Sequence, residues 1–361
     1  LWQLLGKECA FLGTLGMEST KKTLTTSFAL HTTPDTVTLH KKLSQCVEKG
    51  VTHVALEASS HGIDQYRLDG VRLKAAAFTN FSHDHLDYHR DLGHYFAAKA
   101  RLFRELLPLS GVAIIACGTP YAEILLRDTK DRGIKYITVG DNIADIMITS
   151  ATPTLTGYQG VVRYQECDYS FEIPLIGRFQ VDNVFLAVGL LLATGFAFED
   201  IIRFLPSLKP VKGRMEKVKG DRVFVDYAHT PDALKVALQS LKHHTSGQIW
   251  VVFGCGGDRD QQKRPLMGEV ANTYADHVII TDDNPRTENP LLIRQQIAWG
   301  CRTGKIIPHR AEAIQYAITH KASEDIVLIA GKGHEKYQWI GHQKVDFDDV
   351  AVAEAVIKAK G

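Results

Sequence analysis

Short apolar runs alternate with amphipathic segments along most of the chain. Such runs are typical of strands buried on both faces of a parallel sheet, and the segments between them are typical of the helices that cover it. We therefore predict an α/β fold in which parallel sheets are flanked by helices. The predicted strands span residues 52–57, 75–80 and 111–116 in the first part of the chain, and 222–228, 249–254, 277–283 and 326–331 in the last part.

The chain of 361 residues is long enough for two domains. Residues 135–176 form an extended, turn-rich stretch, which is followed by a helix from Asn183 to about Thr194. The segment PSLKPVKGRM then places two prolines and a glycine between a helix and the next strand, as is typical of a domain boundary. We predict two domains, covering residues 1–207 and 208–361.

Composition and charge are those of an ordinary soluble protein, with 45% hydrophobic and 23% charged residues. The 42 basic residues nearly balance the 41 acidic ones, so nothing indicates a nucleic-acid or membrane partner. The longest apolar segment, residues 184–198, is interrupted by glycines and is shorter than the roughly 20 residues of a spanning helix. The six cysteines show no C-x-x-C spacing, which indicates neither a zinc site nor a disulfide framework and favours a reducing cytoplasm.

A polar, charged or glycine-rich cluster follows each of six predicted strands. The carboxyl ends of parallel strands form one edge of a sheet, where open α/β folds bind their ligands. The repetition therefore predicts a ligand site at one edge of each sheet, although it does not identify the chemistry. The clusters are ASSHG, FSHDHLDYH, HTPD, CGGDRD, NPR and KGHE.

The second of these clusters is rich in histidine and aspartate. It is either a metal site or the polar start of a helix whose histidines pack or face water. Its spacing differs from the H-E-x-x-H zinc motif, so the metal that suits the cluster is a hard ion such as Mg²⁺, held with Glu57 and phosphate groups. Lys99 follows on a helix, and the pattern alone assigns it no role. The cluster consists of His83, Asp84, His85, Asp87 and His89.

Charged side chains of both signs gather in the clusters of the last domain. Arginine suits two-point binding of a carboxylate, and Asp, Asn and Glu can accept hydrogen bonds from an ammonium group. Together they predict a pocket for a zwitterion such as an amino acid, with a surface ion-pair network as the alternative. The glycine-rich turns at 254–260 and 330–335 do not match the phosphate loop G-x-x-x-x-G-K-[ST], which is absent from the sequence. The charged and amide residues are Arg259, Asp283, Asn284, Arg286 and Glu335.

Eight motifs, in this order, resemble the Mur ligase family of peptidoglycan synthesis from about Thr32 to the C-terminus. They are EASSHGIDQYRL, TNFSHDHLDYH, YFAAKARLF, GRMEKV, VDYAHTPDAL, FGCGGDRDQQKRP, DDNPR and AGKGHEKYQ. The resemblance implies a central parallel-sheet ATP-binding domain at 1–207, followed by a smaller Rossmann-like α/β domain at 208–361 that binds an amino acid. It also implies an ATP-dependent ligase that forms an amide bond through an acyl phosphate.

Within the family, the motifs most resemble the members that join meso-diaminopimelate to UDP-N-acetylmuramoyl-L-alanyl-D-glutamate, with ATP and Mg²⁺. We expect a cytoplasmic monomer. The residues implied for the nucleotide-sugar substrate are Thr32, Thr33, Ser59, Gln65 and Arg67. Those implied for catalysis and Mg²⁺ are Glu57, His85 and Lys99, the last as a carbamate, and those for ATP are Asn183, Arg214, Asp226 and His229. Those implied for meso-diaminopimelate are Arg259, Asp283, Asn284, Pro285, Arg286, Gly331 and Glu335.

The start of the chain departs from the family pattern. Residue 1 is Leu rather than Met, so we expect the chain to begin inside a longer protein. Residues 1–14 resemble the helix that follows the family's phosphate-binding loop, while that loop and the domain that grips the uridine end are missing. We therefore expect this chain alone to be inactive and the complete protein to be active.

Four alternative functions are open. The nearest is a lysine-adding Mur ligase, which Arg286 argues against because it would repel a lysine side chain. A folylpolyglutamate-synthetase-like ligase is disfavoured by the EASSHG and DDNPR motifs. A metallohydrolase built on the histidine cluster and a non-catalytic binding fragment represent other classes.

Overall fold

The structure is a computed structural model that describes residues 1–26, 31–81, 84 and 88–360. The chain divides into two compact units. The first comprises Leu1–Thr152, Tyr158–Pro174 and Gln180–Leu208, and the second comprises Pro153–Gly157, Leu175–Phe179 and Lys209–Gly361. Two short segments of the predicted first domain, 153–157 and 175–179, therefore group with the second unit.

The described strands of the first unit form two sheets. The smaller consists of β1 (Cys9–Gly13), β2 (Gly16–Ser19) and β3 (His53–Leu56), in the order β2-β1-β3. The larger runs in chain order through β4 (Ala75–Phe78), β5 (Val112–Ala116), β6 (Lys135–Gly140), β7 (Ile146–Pro153), β8 (Tyr158–Tyr164) and β9 (Cys167–Ile173). The helices are α1 (Thr36–Glu48), α2 (Ser60–Asp64), α3 (Leu92–Arg101), α4 (Pro120–Asp131), α5 (Arg178–Ala193) and α6 (Phe198–Ile202). A π-helical turn at Leu102–Leu106 continues α3, and 3-10 turns lie at Lys22–Leu24 and Leu205–Ser207.

The predicted strands of this unit are present, but they do not all share one sheet. The strand predicted at 52–57 is β3, which pairs in parallel with β1, whereas those at 75–80 and 111–116 are β4 and β5, which pair with each other. The expectation of a helix over residues 1–14 is wrong, because residues 9–13 form β1. Pairing with β3 determines this outcome, and it buries Ala10 and Leu12 in the core of the unit.

The second unit is built around a six-stranded sheet with the order β10-β11-β15-β12-β13-β14. All of its strands are parallel except the edge strand β10. The strands are β10 (Glu216–Lys217), β11 (Val223–Asp226), β12 (Ile249–Phe253), β13 (His277–Ile280), β14 (Lys305–Ile306) and β15 (Ile326–Ala330), and a separate hairpin pairs β16 (Tyr337–Ile340) with β17 (Gln343–Asp346). The helices are α7 (Pro231–Lys242), α8 (Lys263–Tyr274), α9 (Pro290–Gly300), α10 (Arg310–His320) and α11 (Asp349–Lys360).

Both faces of this sheet are buried, as its continuous apolar runs predict. In β12, Ile249, Val251 and Phe253 face a core shared with α7, α8 and α9, while Trp250 and Val252 face a core shared with α10 and α11. This arrangement confirms the predicted α/β class with helices on both sides of a parallel sheet. It also brings the loops after β11, β12, β13 and β15 to one edge of the sheet.

The six cysteines all lie in the described part of the chain and are free thiols, in agreement with the predicted lack of a disulfide framework. Within the described ranges, every helix is too short or too polar to cross a bilayer.

Candidate functional site

A hydroxyl cluster in the first unit joins the segment before α1 to the end of β3. Thr33 is buried, and its Oγ1 donates to the carbonyl oxygen of Glu57 at 2.8 Å and accepts from the Ser59 N–H at 3.0 Å. Ser59 Oγ accepts from the Gly62 N–H at 3.1 Å and so caps α2. A Cβ at Gly62 would lie 2.5 Å from Thr33 Cβ, so glycine is required for this close approach. The structure therefore brings two predicted substrate residues, Thr33 and Ser59, into direct contact.

Arg67 and Gln65 extend this cluster towards the surface. Arg67 Nη1 donates to the Thr33 carbonyl oxygen at 2.9 Å, and Nη2 donates to Gln65 Oε1. The exposed Gln65 donates through Nε2 to the Tyr88 hydroxyl at 3.1 Å. The hydrogen bonds hold the guanidinium and amide groups in a defined position beside α2, where polar donors can meet a ligand.

Glu57 lies directly after β3 and is anchored through one carboxylate oxygen. Its Oε2 accepts from the Thr14 N–H at 3.1 Å and from Thr14 Oγ1 at 3.0 Å. Thr32 reaches the same place, because its Oγ1 lies 2.9 Å from Thr14 Oγ1. Among the described residues, Glu57 Oε1 has no hydrogen-bond partner, and the residue is exposed. This carboxylate is therefore positioned by the protein and able to take a further ligand.

Lys99 lies on α3 with its ammonium nitrogen 5.1 Å from the ring centre of Tyr95. Burial lowers the pKa of Lys99, and the negative charges of Asp84 and Glu57 partly oppose this shift. Burial, with a contribution from Asp84, also raises the pKa of Tyr95. A lowered pKa favours the neutral amine, which is the form that adds CO₂ to give a carbamate. A carbamate at Lys99 would join two acidic groups, and such an all-oxygen set fits Mg²⁺.

The remaining predicted residues of the first unit are less informative. His85 lies outside the described residues, as do His83 and Asp87. His89, the last histidine of the cluster, is buried, and its Nε2 lies 3.0 Å from Ser60 Oγ, so it supports α2. No three His, Cys, Asp or Glu side chains within the described ranges are arranged to hold a metal by themselves. Asn183 is exposed on α5.

Asp226, at the end of β11 in the second unit, holds two neighbouring loops. Its Oδ2 accepts from the Met215 N–H at 2.7 Å, and its Oδ1 accepts from the Ala228 N–H at 2.8 Å. Burial raises the pKa of Asp226, against the effect of these hydrogen bonds and of the Arg214 charge. The loop that Asp226 holds passes so close to residues 333–334 that a Cβ at Gly213 would lie 2.1 Å from the His334 nitrogen.

In this unit, the residues that the family resemblance implies for ATP lie around Tyr227. The Arg214 guanidinium lies 4.7 Å from the Tyr227 ring centre, and the rings of His229 and His334 lie 4.6 and 5.2 Å from it. His229 Nδ1 also lies 2.8 Å from the Tyr227 carbonyl oxygen. The structure thus brings Arg214, Asp226 and His229 together. An exposed arginine beside aromatic rings can bind phosphate and stack on a flat base.

The side chains of two predicted arginines, Arg259 and Arg286, approach Gly256 in the loop after β12. A Cβ at this position would be 2.8 Å from Arg286 Nη1, so a larger residue would displace that guanidinium, and it would lie in ordinary contact, at 3.7 Å, with Arg259 Cγ. Arg286 Nη1 donates to the Gly257 carbonyl oxygen at 2.8 Å, which orients its guanidinium. A guanidinium group held in this way can bind a carboxylate through paired hydrogen bonds.

The turn at 282–286 after β13 is tied to the β16–β17 hairpin. The Arg286 N–H donates to the Trp339 carbonyl oxygen at 3.0 Å, and the Gly341 N–H donates to the Arg286 carbonyl oxygen at 2.7 Å. Pro285 is buried, and Arg286 adopts the left-handed conformation with φ of +50°. Asp282 pairs with Arg294 of α9, so only the second aspartate of the turn is available to the predicted pocket.

The loop after β15 supplies the remaining predicted residues, Gly331 and Glu335. Because β15, β12 and β13 are neighbours, their three loops meet at one edge of the sheet. Asn284 Nδ2 donates to Glu335 Oε2 at 2.8 Å, and Asp283 Oδ2 lies 2.6 Å from the place a Gly331 Cβ would take. Acidic, amide and guanidinium groups therefore converge within one unit. The mixed charge fits a zwitterion with more than one carboxylate.

Gly331 is expected to be intolerant of any side chain. It has φ of +111°, and its Cβ would collide with the Asp283 carboxylate. Gly331→Ala should lower the free energy of unfolding by about 2–4 kcal/mol, because it combines backbone strain with this collision. We also expect a roughly tenfold higher KM for the amino-acid substrate, because Asp283 must move.

Gly341→Ala is the matched control for this prediction. Gly341 also has a positive φ, of +59°, but nothing lies within 4 Å of a Cβ there. The free energy of unfolding of this variant should fall by about 1 kcal/mol, from the strain of a side chain at positive φ, and its KM should be unchanged. Chemical denaturation and steady-state kinetics measure both quantities, and equal behaviour of the two variants would contradict the assigned contact with Asp283.

Sequence reasoning missed the buried cations behind these loops. Arg264 of α8 is fully buried and binds both oxygens of Glu288 at 2.9 Å and the Gly256 carbonyl oxygen at 3.1 Å. It therefore ties the glycine-rich loop to the end of the 282–288 segment. Lys332 is also fully buried. The position of Lys332 between two glycines in AGKGHE was the one sequence feature that could have indicated a special role. The sequence alone did not show that its side chain points inward.

Comparison with known proteins agrees with these observations. The Mur ligase middle domain family matches residues 1–191, and the family described as Mur ligase, glutamate ligase domain matches residues 213–333. The chain is 43% identical over 365 residues to UDP-N-acetylmuramoyl-L-alanyl-D-glutamate--2,6-diaminopimelate ligase of Zymomonas mobilis subsp. mobilis, covering 99% of this chain and 74% of that protein. A solved structure of a ligase with the same name is 38% identical, with a TM-score of 0.68, over 99% of this chain and 74% of that one.

A structure of folylpolyglutamate synthase from Mycobacterium tuberculosis, complexed with ADP and AMPPCP, has a TM-score of 0.72 over 98% of this chain and 85% of that one. Its identity of 16% shows a shared fold alone. The matches to the two Mur ligase domain families and the 43% identity to the ligase named above identify the family of this chain. The similarity to folylpolyglutamate synthase shows only that the fold is shared. The chain belongs to the Mur ligase family.

Proposed function

We propose that the protein is an ATP-dependent ligase that joins meso-diaminopimelate to UDP-N-acetylmuramoyl-L-alanyl-D-glutamate in peptidoglycan synthesis. The observation that carries this proposal is the mixed-charge group of side chains in the second unit, where Arg259 and Arg286 approach Gly256 and where Asp283 and Glu335 lie on loops that contact each other. The names of the relatives at 43% and 38% identity support it.

The reaction class is amide-bond formation by carboxylate activation. The carboxylate of the nucleotide-sugar dipeptide takes the γ-phosphoryl group of ATP, which releases ADP and leaves an acyl phosphate. The amine of the incoming amino acid then attacks the acyl carbon, loses a proton and expels inorganic phosphate. Positioning and neutralisation of the developing negative charge supply most of the rate increase in such transfers.

In the second unit, Arg286 would bind the distal carboxylate of meso-diaminopimelate, with Arg259 nearby as a second cation. Asp283 and Glu335 would accept hydrogen bonds from its ammonium groups, and the NH₂ group of Asn284 would donate to one of its carboxylates. Pro285 would stiffen the turn, and Gly331 would leave room for the Asp283 carboxylate. Diaminopimelate has one more carboxylate than lysine, and this carboxylate would give the Arg286 guanidinium a partner. The pocket therefore supports diaminopimelate over lysine as the substrate.

In the first unit, Thr32, Thr33, Ser59, Gln65 and Arg67 would contact the nucleotide-sugar substrate. Their hydrogen-bonded network is preorganised, so little side-chain ordering would be needed on binding. Asn183, Arg214, Asp226 and His229 would contribute to ATP binding, with Asp226 acting through the two loops that it holds.

Glu57, His85 and a carbamylated Lys99 would hold Mg²⁺. When bound, the ion would neutralise phosphate oxygens and the acceptor carboxylate. Glu57 contributes a carboxylate anchored by Thr14, and Lys99 contributes an amine whose lowered pKa favours carbamate formation. We further propose that the protein is a cytoplasmic monomer. The six free thiols support the cytoplasm as its compartment.

The test is release of ADP and phosphate by the full-length gene product with Mg²⁺. We expect turnover only when the nucleotide-sugar dipeptide and meso-diaminopimelate are both present, and a product whose mass equals the two substrates minus water. ATP turnover that is independent of either substrate would contradict the proposed reaction. Activity with zinc or manganese and without ATP would instead favour a metallohydrolase.

A further inference from the structure

Lys332 is a fully buried lysine directly beneath the proposed amino-acid pocket. It follows Gly331 in the loop after β15, and its side chain has 0% of its surface exposed. A lysine in this position is strongly unfavourable unless its charge is paired and hydrogen-bonded. Its Nζ donates to Asn284 Oδ1 and to Glu335 Oε2, each at 3.1 Å, and lies 5.6 Å from the Tyr337 ring centre. Two of its neighbours are therefore residues that we assign to the substrate.

Lys332 and a backbone N–H together determine which way the Asn284 side-chain amide points. Asn284 Oδ1 also lies 2.9 Å from the Trp339 backbone nitrogen, which is a donor. An ammonium group and a backbone N–H can only donate, so the atom that faces both of them must be the amide oxygen. The Asn284 NH₂ group is thereby turned towards Glu335 Oε2, at 2.8 Å.

Lys332 also fixes Glu335 through a single oxygen. Oε2 accepts from both Lys332 and Asn284, whereas Oε1 has no hydrogen-bond partner among the described residues. The Glu335 side chain is 17% exposed, so it is accessible at the surface of the loop while its inner oxygen is held. The Lys332 charge balances that of Glu335, which lets a second carboxylate, Asp283, lie on the neighbouring loop.

We propose that Lys332 is a positioning residue for the incoming amino acid. Its buried ammonium holds Asn284 and Glu335 in an arrangement in which the amide NH₂ group faces a substrate carboxylate and a Glu335 carboxylate oxygen faces a substrate ammonium group. Lys332 does not touch the substrate, because its own side chain is inaccessible. This inference rests on the proposed function, since it assigns Asn284 and Glu335 to amino-acid binding.

The test compares Lys332→Met with wild type in the full-length protein, using meso-diaminopimelate, ATP and the nucleotide-sugar dipeptide as varied substrates. We expect the KM for meso-diaminopimelate to rise roughly 10- to 100-fold, the range for loss of one charged hydrogen-bond partner. The KM values for the other two substrates should change by less than about twofold. Should Lys332→Met fail to fold, Lys332→Gln serves as the second variant, and because it keeps a neutral amide donor but not the charge, the same KM should rise by a smaller factor, with an unchanged KM contradicting the proposal.

Lys321→Met is the matched control. Lys321 is another buried lysine of the second unit, with 2% of its side chain exposed, and it pairs with Asp221 rather than with pocket residues. Its replacement should lower thermal stability as much as Lys332→Met does while leaving the KM for meso-diaminopimelate unchanged. An equal rise in this KM for both variants would show that Lys332 supports the fold only, and would overturn the proposal.

A double-mutant cycle with Glu335→Gln separates positioning from an independent effect. If Lys332 acts through Glu335, adding Lys332→Met to Glu335→Gln should raise the KM by less than about threefold. Effects of the two substitutions on the KM that multiply fully would contradict the proposal, as would an unchanged KM in Lys332→Met alone.

A wild-type protein that uses a different amino acid, or none, would refute the proposed function instead. In that case, a crystal structure of Lys332→Met decides the inference, which predicts that the hydrogen bond between Asn284 and Glu335 is lost.

Discussion

Arg286→Ala is expected to lower kcat/KM for meso-diaminopimelate by roughly 100- to 1,000-fold, because two charge-assisted hydrogen bonds to the distal carboxylate are lost. The KM for ATP should stay within about twofold of wild type. Alanine can keep the left-handed conformation with the same strain as arginine, and the turn is held by backbone bonds to Trp339 and Gly341. The stability loss should therefore be about 1 kcal/mol, from the hydrogen bond to Gly257. Substrate-varied kinetics and thermal unfolding measure both effects.

Two further variants make this prediction specific. Arg286→Lys keeps a positive charge but not the planar fork, so its loss should be intermediate. Arg302→Ala removes an exposed arginine of the same unit and should leave the kinetics unchanged. A loss of ATP affinity in Arg286→Ala that matches its loss of amino-acid affinity would show that Arg286 is misassigned.

Lys99→Ala is expected to lower kcat by roughly 100- to 1,000-fold, since it removes the carbamate proposed to complete the Mg²⁺ site. A short carboxylate such as formate or acetate should restore part of the rate, because it can supply the missing oxygen ligands in the space left by the side chain. The KM for meso-diaminopimelate should change little, because Lys99 belongs to the first unit. The measurement is the initial rate as a function of added carboxylate.

Lys130→Ala is the control for Lys99. Lys130 is likewise a helical lysine of the first unit, and its nitrogen lies 5.3 Å from the Tyr136 ring centre, compared with 5.1 Å between Lys99 and Tyr95. Its replacement removes a similar cation–π contact without touching the acidic group around Lys99, so it should not affect the rate. Full activity of Lys99→Ala, or a low activity that no carboxylate improves, would argue against the carbamate.

Most of the fold follows from the sequence because its strands are continuous apolar runs in a parallel sheet. β12 shows why, since all five of its residues are buried and their alternation serves two cores. The exception is β1, a segment that resembles a helix and becomes a strand through pairing with β3, more than 40 residues away in sequence. Local pattern cannot report a contact of that kind.

The candidate site was predictable as a set of loops but not as a set of contacts. The clusters after β12, β13 and β15 indicated an edge of the sheet, yet DDNPR contains two aspartates that look equivalent in sequence. Only the structure shows that Asp282 is paired with Arg294 while Asp283 lies against Gly331. Lys332 was missed for the same reason, because burial of a charged residue depends on partners from distant loops.

The central claim is that the second unit selects an amino acid with a distal carboxylate. The ratio of kcat/KM for meso-diaminopimelate to that for L-lysine, measured on the full-length gene product, tests it most directly. We predict a ratio of at least about 100, the discrimination expected when the Arg286 guanidinium is left without its carboxylate partner. A ratio near one, or a preference for L-lysine, would contradict the assignment of Arg286 and the proposed substrate together.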